Sequence, residues 1–501
     1  MKKLPAIVLS VMLIVLSLAV LPTASAAELK EEQTFGHIKE YDSFYNRYSK
    51  AIDYAAKEMY ALNQSVVISD YKVPIDDIQK FMKTVINTHP ELFYVSAMYS
   101  YSYYSTGQND YVYSLIVHWG KVIYNENGQY TGQETTYTDD QVLSMRNEFY
   151  NRAQWYLDKV DDNMSDFEKA LILHDELALN ASYLLTGETY DLMVNGFGKC
   201  YGYSEAYAYL LAQVGVDSEI VESESMYHQW NKVKIDGEYY HVDVTWDDPT
   251  PDKPGLVGHV YFLLSDNEIE SLDQPHYGGN SEIVSDDTRY DKMGYHKINT
   301  RLCYVGGDCY VVDNNAPSKS DTAKNLLVYR LADDSFETVQ SFKYEYWSAG
   351  SGYVWSNMYM ALDGQDGYLY LNTENTVYVY DTQNGTLTEF ANNTYDKGFY
   401  GLRVMDDKVY AVLAESPNET GSLQYIGDCL VRETEPVVTL GDLNGDGIVN
   451  INDVTVLQRG LAEFEDLTEE QIAVADTNGD GRVNVKDVAK IQRVLADMET
   501  F

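Results

Sequence analysis

Apolar residues recur every three or four positions in the first part of the chain, as they do in amphipathic helices. The two clearest stripes are formed by Tyr48, Ile52 and Ala55 and by Ile78, Phe81, Met82 and Val85. Alternating patterns typical of strands follow at 99–103 and 111–119, and Asn127-Gly128 is a hairpin turn signal. These patterns predict an α+β extension over residues 27–159, in which no chemical motif stands out.

Two further helices are predicted between residues 165 and 214. Ser165 and Glu168 form a capping box ahead of the first, and we expect His174 on that helix to be a structural rather than a catalytic residue. The second helix begins at Cys200 and has its buried positions at Ala206, Leu210, Leu211 and Val214. Cys200 should therefore lie in the first helical turn, where unpaired backbone N–H groups and the helix dipole favour thiolate over thiol. An unreactive buried thiol is the alternative, and the residues downstream decide between the two.

A hairpin follows this helix, because Asp236-Gly237 is a two-residue turn signal that pairs Ile235 with Glu238. In that register Trp230 lies opposite Asp243 and His228 opposite Thr245, with all four side chains on one face. Asp243 is then a diagonal neighbour of His228. The other face carries Val233, Ile235, Val242 and Val244, as expected for strands that cover a core.

A histidine that is oriented by a carboxylate and brought to an activated cysteine is the arrangement used for acyl transfer through a thioester. We therefore predict Cys200 as the nucleophile, His228 as the base and Asp243 as the residue that orients the base. Each of the three alone is more often structural, so the prediction depends on their order and register.

The segment 199–211, the run HQWNKV at His228 and the run HVDVTWDD at Asp243 resemble the core of the transglutaminase-like superfamily, in its secreted bacterial branch. This resemblance covers about residues 160–265 and implies a papain-like α+β core, which we place at 160–285. It implies the same roles for Cys200, His228 and Asp243, with the backbone N–H of Cys200 as an oxyanion donor. The superfamily includes cross-linkers, peptidases, amidases and inactive relatives, so the reaction stays open, and we expect no cofactor in this core.

Residues 1–26 have the features of a secretory signal peptide: Lys2 and Lys3, an apolar run over 6–21, and the small residues Ala24-Ser25-Ala26. That run is short for a membrane span, and no later segment is apolar enough, so we expect an exported protein without membrane insertion. The chain has 36 basic and 78 acidic residues, a net charge of -42. This balance argues against nucleic acid or anionic membranes as partners and is compatible with calcium.

The four cysteines are too few for a disulfide framework. If Cys200 stays free, at most one bridge can form among Cys303, Cys309 and Cys429. Cys303 and Cys309 flank Gly306-Gly307, and a three-residue loop there would bring them face to face. A disulfide and a pair of buried thiols are both compatible with this spacing.

Short strand patterns recur over residues 290–432, for example in LLVYRL, TVYVYD and KVYAVLAE, and Asn384-Gly385 is a clear hairpin turn. The pattern predicts a β-rich domain. At most three propeller-like blades can be recognised, fewer than a closed propeller needs, so we expect a partial propeller-like or an open β arrangement.

The last part of the chain contains two copies of a calcium-binding loop. The first comprises Asp442, Asn444, Asp446, Ile448, Asn450 and Asp453; the second comprises Asp476, Asn478, Asp480, Arg482, Asn484 and Asp487. Side-chain oxygens occupy the first, third, fifth, ninth and twelfth places, a backbone carbonyl the seventh, and a glycine the sixth. Each loop precedes a similar helix, and we expect two Ca²⁺ ions.

This duplicated unit resembles a type I dockerin over residues 438–498, within a domain at 438–501 that follows a linker at 433–437. The resemblance implies that the partner is a cohesin module of a scaffoldin, the scaffold protein of a cellulosome. It places recognition at two similar sets of residues: Ile451, Asn452, Gln458 and Arg459, and Val485, Lys486, Gln492 and Arg493. The Ser/Thr pair common in clostridial members is absent here, which leaves the choice of cohesin open.

The sequence as a whole predicts a multidomain, secreted, cellulosome-associated protein with an α+β papain-like core, a β-rich middle domain and a small all-α dockerin. In the first hypothesis the core is an enzyme that acts on protein or peptide as peptidase, amidase or cross-linker. In the alternative it is a non-catalytic binding module. A glycoside hydrolase would need two carboxylates flanking the scissile bond, and no such pair stands out.

Overall fold

A computed structural model of the chain describes residues 43–125, 129–305, 307–312, 323–343, 346–348, 354–356, 359–416, 419, 421–432, 439–445, 448–462 and 466–496. The predicted signal peptide 1–26, the turn Asn127-Gly128, the linker 433–437 and the calcium ligand Asp446 lie outside these ranges. Among the described residues, no helix combines the length and apolar character needed to cross a membrane.

The N-terminal part mixes helices with small antiparallel sheets, as its pattern predicts. Its elements are α1 Ser43–Tyr60, β1 Ser65–Val67, α2 Ile78–Thr88, β2 Ser100–Ser105, β3 Asp110–Ile116, β4 Gly120–Tyr124, β5 Tyr130–Thr136 and α3 Asp139–Leu157, with 3₁₀ turns at Ser69–Tyr71, Ile75–Asp77 and Pro90–Leu92. β3 lies between β1 and β2, and β4 pairs with β5. The predicted apolar stripes form the core of this part, in which Ile52, Phe81 and Val85 are fully buried.

The next part packs helices against a four-stranded antiparallel sheet in the order β11-β10-β9-β8. Its elements are α4 Asp166–Leu179, β6 Ser182–Tyr183, a π-helical turn Asp191–Asn195, β7 Phe197–Gly198, α5 Cys200–Gln213, β8 Ser218–Ser223, β9 His228–Ile235, β10 Glu238–Val242, α6 Val244–Asp247, β11 Phe262–Leu264, α7 Asp266–Ser271 and a 3₁₀ turn Gly294–Lys297. The predicted capping box of Ser165 and Glu168 opens α4. α5 is apolar on most of its surface and is therefore enclosed between α4 and the sheet.

Residues 303–428 form consecutive antiparallel meanders. The strands are β12 Cys303–Val305, β13 Asp308–Val312, β14 Ala323–Arg330, β15 Ser335–Lys343, β16 Tyr346–Ser348, β17 Val354–Ser356, β18 Leu362–Gln365, β19 Tyr368–Asn372, β20 Thr376–Asp381, β21 Thr386–Asn392, β22 Gly398–Met405, β23 Lys408–Ala414 and β24 Ser422–Asp428. They build sheets of four, two, four and three strands, and no barrel closes among the described strands. The β-rich prediction is confirmed, and the partial propeller-like arrangement stays a prediction.

Of the two alternatives that the spacing of Cys303 and Cys309 left open, the structure has the pair of buried thiols. Val305 pairs with Asp308, so the turn has two residues, of which Gly306 lies outside the described ranges. Cys303 pairs with Tyr310 and Cys309 with Tyr304, which places the two thiols on opposite faces of the sheet, because neighbouring positions alternate. All four cysteines are free and buried.

The sheet β12–β15 has apolar residues on both faces. Cys309, Val311, Leu327 and Tyr329 belong to the hydrophobic cluster of α4, α5 and β9. Cys303, Tyr310, Val312, Leu326 and Val328 belong to the cluster of the following sheets. One sheet therefore contributes to two hydrophobic cores.

Arg301 strengthens this junction. Its guanidinium binds Glu176 of α4 at 2.5 Å and Asp363 of β18 at 2.7 Å. The buried Asp175 of α4 accepts a hydrogen bond of 3.1 Å from the backbone N–H of Leu302. These polar contacts connect helix α4 with strand β18 and with the segment that leads into β12.

The C-terminal part consists of α8 Ile451–Leu461, α9 Glu469–Ala475 and α10 Val485–Leu495. They enclose a small core that includes Leu443, Val454, Leu457, Val474, Val488 and Ile491. A helix therefore follows each predicted calcium loop.

Candidate active site

Cys200 lies where the sequence predicts it, at the first residue of α5. The chain reaches it through β7, which pairs with β6 in parallel, after Gly196 has adopted the left-handed backbone conformation (φ 74°). A Cβ at Gly198 would lie 3.0 Å from the Leu192 side chain, so a larger residue there would require Leu192 to shift. The thiol is thus held at a helix N-terminus, and the Cys200 residue is 5% exposed.

His228 begins β9, in the register that the turn Asp236-Gly237 predicts. Glu238 pairs with Ile235 and Val242 with Asn231. The predicted pairing of Trp230 with Asp243 and of His228 with Thr245 is wrong, because β10 ends at Val242 and residues 244–247 are helical. Asp243 ends the strand by accepting hydrogen bonds from the backbone N–H groups of Thr245 and Trp246.

Asp243 nevertheless reaches His228. Its Oδ2 atom accepts a hydrogen bond of 2.6 Å from His228 Nε2, and both side chains are buried. The Cys200 thiol contributes to the raised pKa of His228, so the sulfur lies next to the imidazole. Since Nε2 is bound to Asp243, Nδ1 is the ring nitrogen that can face the sulfur. The three residues singled out from the sequence therefore come together.

The charges of this group are coupled. Burial alone would lower the pKa of His228, but the Asp243 carboxylate, with a further contribution from Cys200, raises it to about 10. Burial would raise the pKa of Asp243, but His228 and a second histidine hold it well below its usual range. The arrangement favours a positively charged imidazole beside the thiol at neutral pH.

That second histidine, His276, was not singled out from the sequence. Its Nε2 atom donates to the same Oδ2 atom of Asp243 at 2.7 Å, and its Nδ1 atom is buried without a hydrogen-bond partner among the described residues. His276 lies in an irregular segment after α7, far along the chain from β9 and β10, so no spacing rule connects it with them. Its ring packs 4.3 Å from the Trp246 ring, while Trp230 stacks on His228 at 5.8 Å.

Tyr183 is another polar residue near the thiol that sequence reasoning missed. It pairs with Gly198, two residues before Cys200. Burial raises the pKa of the Tyr183 phenol, and the charges of Cys200 and Asp243 add to this effect. Its hydroxyl therefore lies in the electrostatic field of the site.

A buried cluster of histidines and aspartates lies between α4 and the segments 247–261 and 298–302. His174 donates to Asp175 at 2.9 Å and to Asp247 at 3.2 Å, and His259 binds Asp175 at 2.9 Å and the Ile298 carbonyl at 2.9 Å. Burial would lower the pKa of His174, but the two carboxylates raise it to about 9. These side chains have the spacing of metal ligands, yet hydrogen bonds within the protein satisfy them, as expected for a structural network.

The two calcium loops are built alike. Asp453 accepts hydrogen bonds from the backbone N–H groups of Leu443 and Asn444 at 2.9 and 3.0 Å, and Asp487 accepts one from Asn478 at 3.1 Å. Asp476 accepts hydrogen bonds from residues 480 and 481, and Asn450 and Asn484 cap α8 and α10.

These contacts curl each loop around its own oxygen atoms. Gly481, at the sixth place of the second loop, has a φ of 76°, which glycine adopts without strain. An all-oxygen donor set of this kind fits Ca²⁺. Its members, apart from Asp446, are the predicted residues Asp442, Asn444, Ile448, Asn450, Asp453, Asp476, Asn478, Asp480, Arg482, Asn484 and Asp487.

The residues that the dockerin resemblance assigns to recognition all lie on the surface of the helices that follow the loops. They are Ile451, Asn452, Gln458, Arg459, Val485, Lys486, Gln492 and Arg493. The apolar members Ile451 and Val485 are 61% and 73% exposed.

Comparison with solved structures finds distant similarity. A transglutaminase (TGase) structure is 11% identical over 29% of this chain and 44% of its own, with a TM-score of 0.19. A protein named as a candidate cysteine protease from Cytophaga hutchinsonii is 12% identical over 32% of this chain and 65% of its own, with a TM-score of 0.18. A protein named as a candidate protease from Parabacteroides distasonis is 9% identical over 56% of this chain and 58% of its own, with a TM-score of 0.17.

This chain therefore spans between 44% and 65% of the length of these three structures. No curated protein sequence matches it significantly. The C-terminal part gives a direct family match, because residues 440–496 fit the sequence model of the dockerin type I domain. The chain carries a type I dockerin domain at its C-terminal end.

Proposed function

We propose that this protein performs acyl transfer through a thioester on Cys200 and is anchored by its dockerin to a cohesin module of a cellulosomal scaffoldin. The observation that carries the first part is the hydrogen bond of His228 with the buried Asp243 carboxylate, beside Cys200 at the start of α5. In this proposal the core at residues 160–285 is papain-like, and its substrate is a protein or peptide.

The first half of the reaction forms the thioester. The Cys200 sulfur attacks the carbonyl carbon of a substrate amide, and the carbonyl electrons move to its oxygen, which accepts a hydrogen bond from the backbone N–H of Cys200. When the tetrahedral intermediate collapses, the C–N bond breaks and the His228 imidazolium donates its proton to the leaving amine. The acyl group remains on the sulfur.

The second half releases it. Neutral His228 accepts a proton from water or from an amine as that nucleophile attacks the thioester carbonyl. The C–S bond breaks, and Cys200 and the protonated His228 are restored. Water gives hydrolysis, whereas an amine gives a new amide, so the same residues support a peptidase, an amidase or a cross-linker.

Asp243 and His276 act as positioning residues. Asp243 Oδ1 is held by the backbone N–H groups of Thr245 and Trp246, and its Oδ2 is shared by His228 and His276. These four hydrogen bonds fix the carboxylate, which in turn fixes the ring of His228. The hydroxyl of Tyr183 is our candidate for the second oxyanion donor, because it is close to the Cys200 charge.

A second function is favoured by the burial of the site. Cys200 is 5% exposed and Asp243 is 1% exposed, so a substrate must displace neighbouring groups to reach the sulfur. In this alternative the core is a non-catalytic module that binds peptide or cell wall, and the dockerin delivers it to the cellulosome.

The dockerin supplies the anchor. The residues of the two loops would hold one Ca²⁺ ion each, and bound calcium would neutralise carboxylates that otherwise repel one another. Recognition by cohesin would use the exposed residues of α8 and α10 named above, in two similar sets. Such an anchor places the protein outside the cell, which agrees with the predicted signal peptide at 1–26.

A library of glutamine peptides, offered with and without a labelled amine, tests the proposal. Incorporation of the label indicates cross-linking, and release of ammonia or peptide fragments without label indicates hydrolysis. Cys200→Ala should abolish either product while the thermal unfolding curve stays unchanged. Peptide binding without any product, unaffected by Cys200→Ala, would instead establish the binding module.

A further inference from the structure

A cavity of about 320 Å³ lies between the N-terminal part of the protein and the start of α5. Helix α2 and strand β4 form one side of it, and Tyr201 and Glu205 of α5 form the other. Its apolar lining includes Met82, Ile86, Phe93, Val95 and Val122. This volume accommodates a single amino-acid side chain of the largest kind with room to spare.

The cavity is close to the nucleophile along α5. Tyr201 follows Cys200 directly, and Glu205 lies on the same side of the helix as Tyr201, one turn further. A helical turn rises about 5 Å, so a substrate whose acyl carbon meets Cys200 can place a neighbouring side chain into the cavity.

Glu205 is the feature that gives the cavity chemical character. It is 9% exposed, and its Oε2 atom accepts a hydrogen bond from the Thr189 hydroxyl. Burial raises the pKa of this carboxyl to about 7, despite the opposing effect of the Thr189 hydrogen bond.

The lysines around the cavity are engaged with other carboxylates. Lys83 forms an ion pair with Glu222, and Lys121 forms one with Asp191. Lys199 binds Glu188 at 3.2 Å. The charges of Lys199 and Lys83 lower the pKa of Glu205, but among the described residues neither lysine forms an ion pair with it.

We propose that this cavity is a specificity subsite for a cationic side chain of the acyl donor, such as lysine or arginine. The aliphatic stem of that side chain packs against the apolar walls, and its charged end binds Glu205. A neutral side chain of the same length fills the cavity but leaves the carboxylate with the Thr189 hydroxyl and no added cation, which weakens binding. This subsite rests on the proposed function, since it requires Cys200 to react with the donor.

Alkylation of Cys200 by two matched reagents tests the subsite without any need for turnover. The reagents are N-chloroacetyl-lysine amide and N-chloroacetyl-norleucine amide, with iodoacetamide as a small reference, and mass spectrometry of Cys200 peptides gives the rates. At pH 8, where Glu205 is ionised, we expect the lysine reagent to react about 10-fold faster or more than the norleucine reagent, as for a buried charge pair. Glu205→Gln should reduce this ratio to about 1.

Two further variants support the interpretation. Glu238→Gln, at the exposed tip of the β9–β10 hairpin, removes the same charge and should keep the wild-type ratio. Ala97→Trp, at the exposed mouth of the cavity, should slow both chloroacetyl reagents and leave iodoacetamide unaffected. Its surface position makes it the informative variant if Glu205→Gln does not fold.

The outcomes separate the two proposals. If iodoacetamide modifies Cys200 readily but the lysine and norleucine reagents react equally fast with the wild type, the subsite is overturned and the thiol site stands. A lysine preference that survives both Glu205→Gln and Ala97→Trp overturns the subsite as well. A Cys200 that resists all three reagents overturns the proposed function together with the subsite that depends on it.

Discussion

Replacing Asp243 by asparagine tests the electrostatic logic of the thiol site with the smallest change of shape. The carboxylate accepts four hydrogen bonds and is the main reason why His228 stays protonated in spite of its burial. An amide is neutral and has a single acceptor oxygen, so it can satisfy only part of this set. In Asp243→Asn, burial becomes the dominant influence on His228, and the pKa of the imidazole falls.

The size of the effect follows from the structure. The pKa of His228 is about 10, against an ordinary value of 6.5. One pH unit corresponds to about 1.4 kcal/mol, so the net stabilisation of the charged imidazole, after the opposing effect of burial, is on the order of 5 kcal/mol. Cys200 contributes part of this stabilisation, and Asp243 contributes the rest. Loss of the Asp243 contribution in Asp243→Asn predicts a decrease of roughly 10²- to 10³-fold in the rate of acyl transfer at pH 7.

The assay is the rate at which iodoacetamide alkylates Cys200, measured from pH 5 to pH 10. A histidine with a raised pKa stays charged as the pH rises and keeps the thiolate stabilised, so the wild type should react well below pH 8. In Asp243→Asn the onset of reaction should shift to higher pH, while the rate at pH 10 stays similar. An unchanged profile would refute the role of Asp243, and His276→Asn, which removes one of the four hydrogen bonds but no charge on Asp243, should produce a smaller shift.

Four further predictions follow from the same structure. Iodoacetamide should modify Cys200 faster than Cys303, Cys309 or Cys429 at neutral pH, since burial raises the pKa of each of those three thiols; equal rates, read by mass spectrometry, would contradict an activated Cys200. EDTA should abolish cohesin binding and remove the melting transition of the dockerin while turnover at Cys200 continues, and a parallel loss of both would refute the assignment of calcium to the dockerin alone. Substitution of Asn452 and Arg459 by alanine should weaken cohesin binding, measured by calorimetry, far less than the same change combined with Lys486→Ala and Arg493→Ala, because the second set of residues can replace the first. The melting temperature of the core should fall between pH 7 and pH 10, since the raised pKa of His174, about 9, gives stability that is complete below pH 6.5 and is lost as the pH rises through 9. This contribution is on the order of 3 kcal/mol, and His174→Gln should reduce the dependence and leave the part that comes from His228.

The features that the sequence predicts correctly depend on local chemistry. The turn residues Asp236 and Gly237 determine the register of β9 and β10, and the helical spacing that starts at Cys200 determines the start of α5. The end of β10 is a different case. Val242 and Val244 continue the alternating pattern, but Asp243 caps the backbone of the next two residues and stops the strand, a choice that periodicity does not reveal.

The residues that sequence reasoning missed are brought to the site by the path of the chain. His276 reaches Asp243 from an irregular segment, and the cavity beside Tyr201 forms only because α2 and β4 pack against α5. In the same way, the two-residue turn between Val305 and Asp308 decides between the disulfide and the buried thiols that the spacing of Cys303 and Cys309 left open. Spacing along the sequence does not determine such contacts, because they depend on which segments meet in three dimensions.

The sheet β12–β15, which contributes to two hydrophobic cores, limits where recombination can divide the gene for this protein. Successive side chains along its strands belong to two different hydrophobic cores. Arg301 forms ion pairs with Glu176 and with Asp363 and so connects the two sides. A gene fragment that ended near residue 290 would encode the part that contains Cys200, but its hydrophobic core would lack Val311, Leu327 and Tyr329. Recombination can therefore exchange the dockerin freely, since its core is made from its own residues. The part that contains Cys200 and the sheet β12–β15, in contrast, have to be gained or lost together.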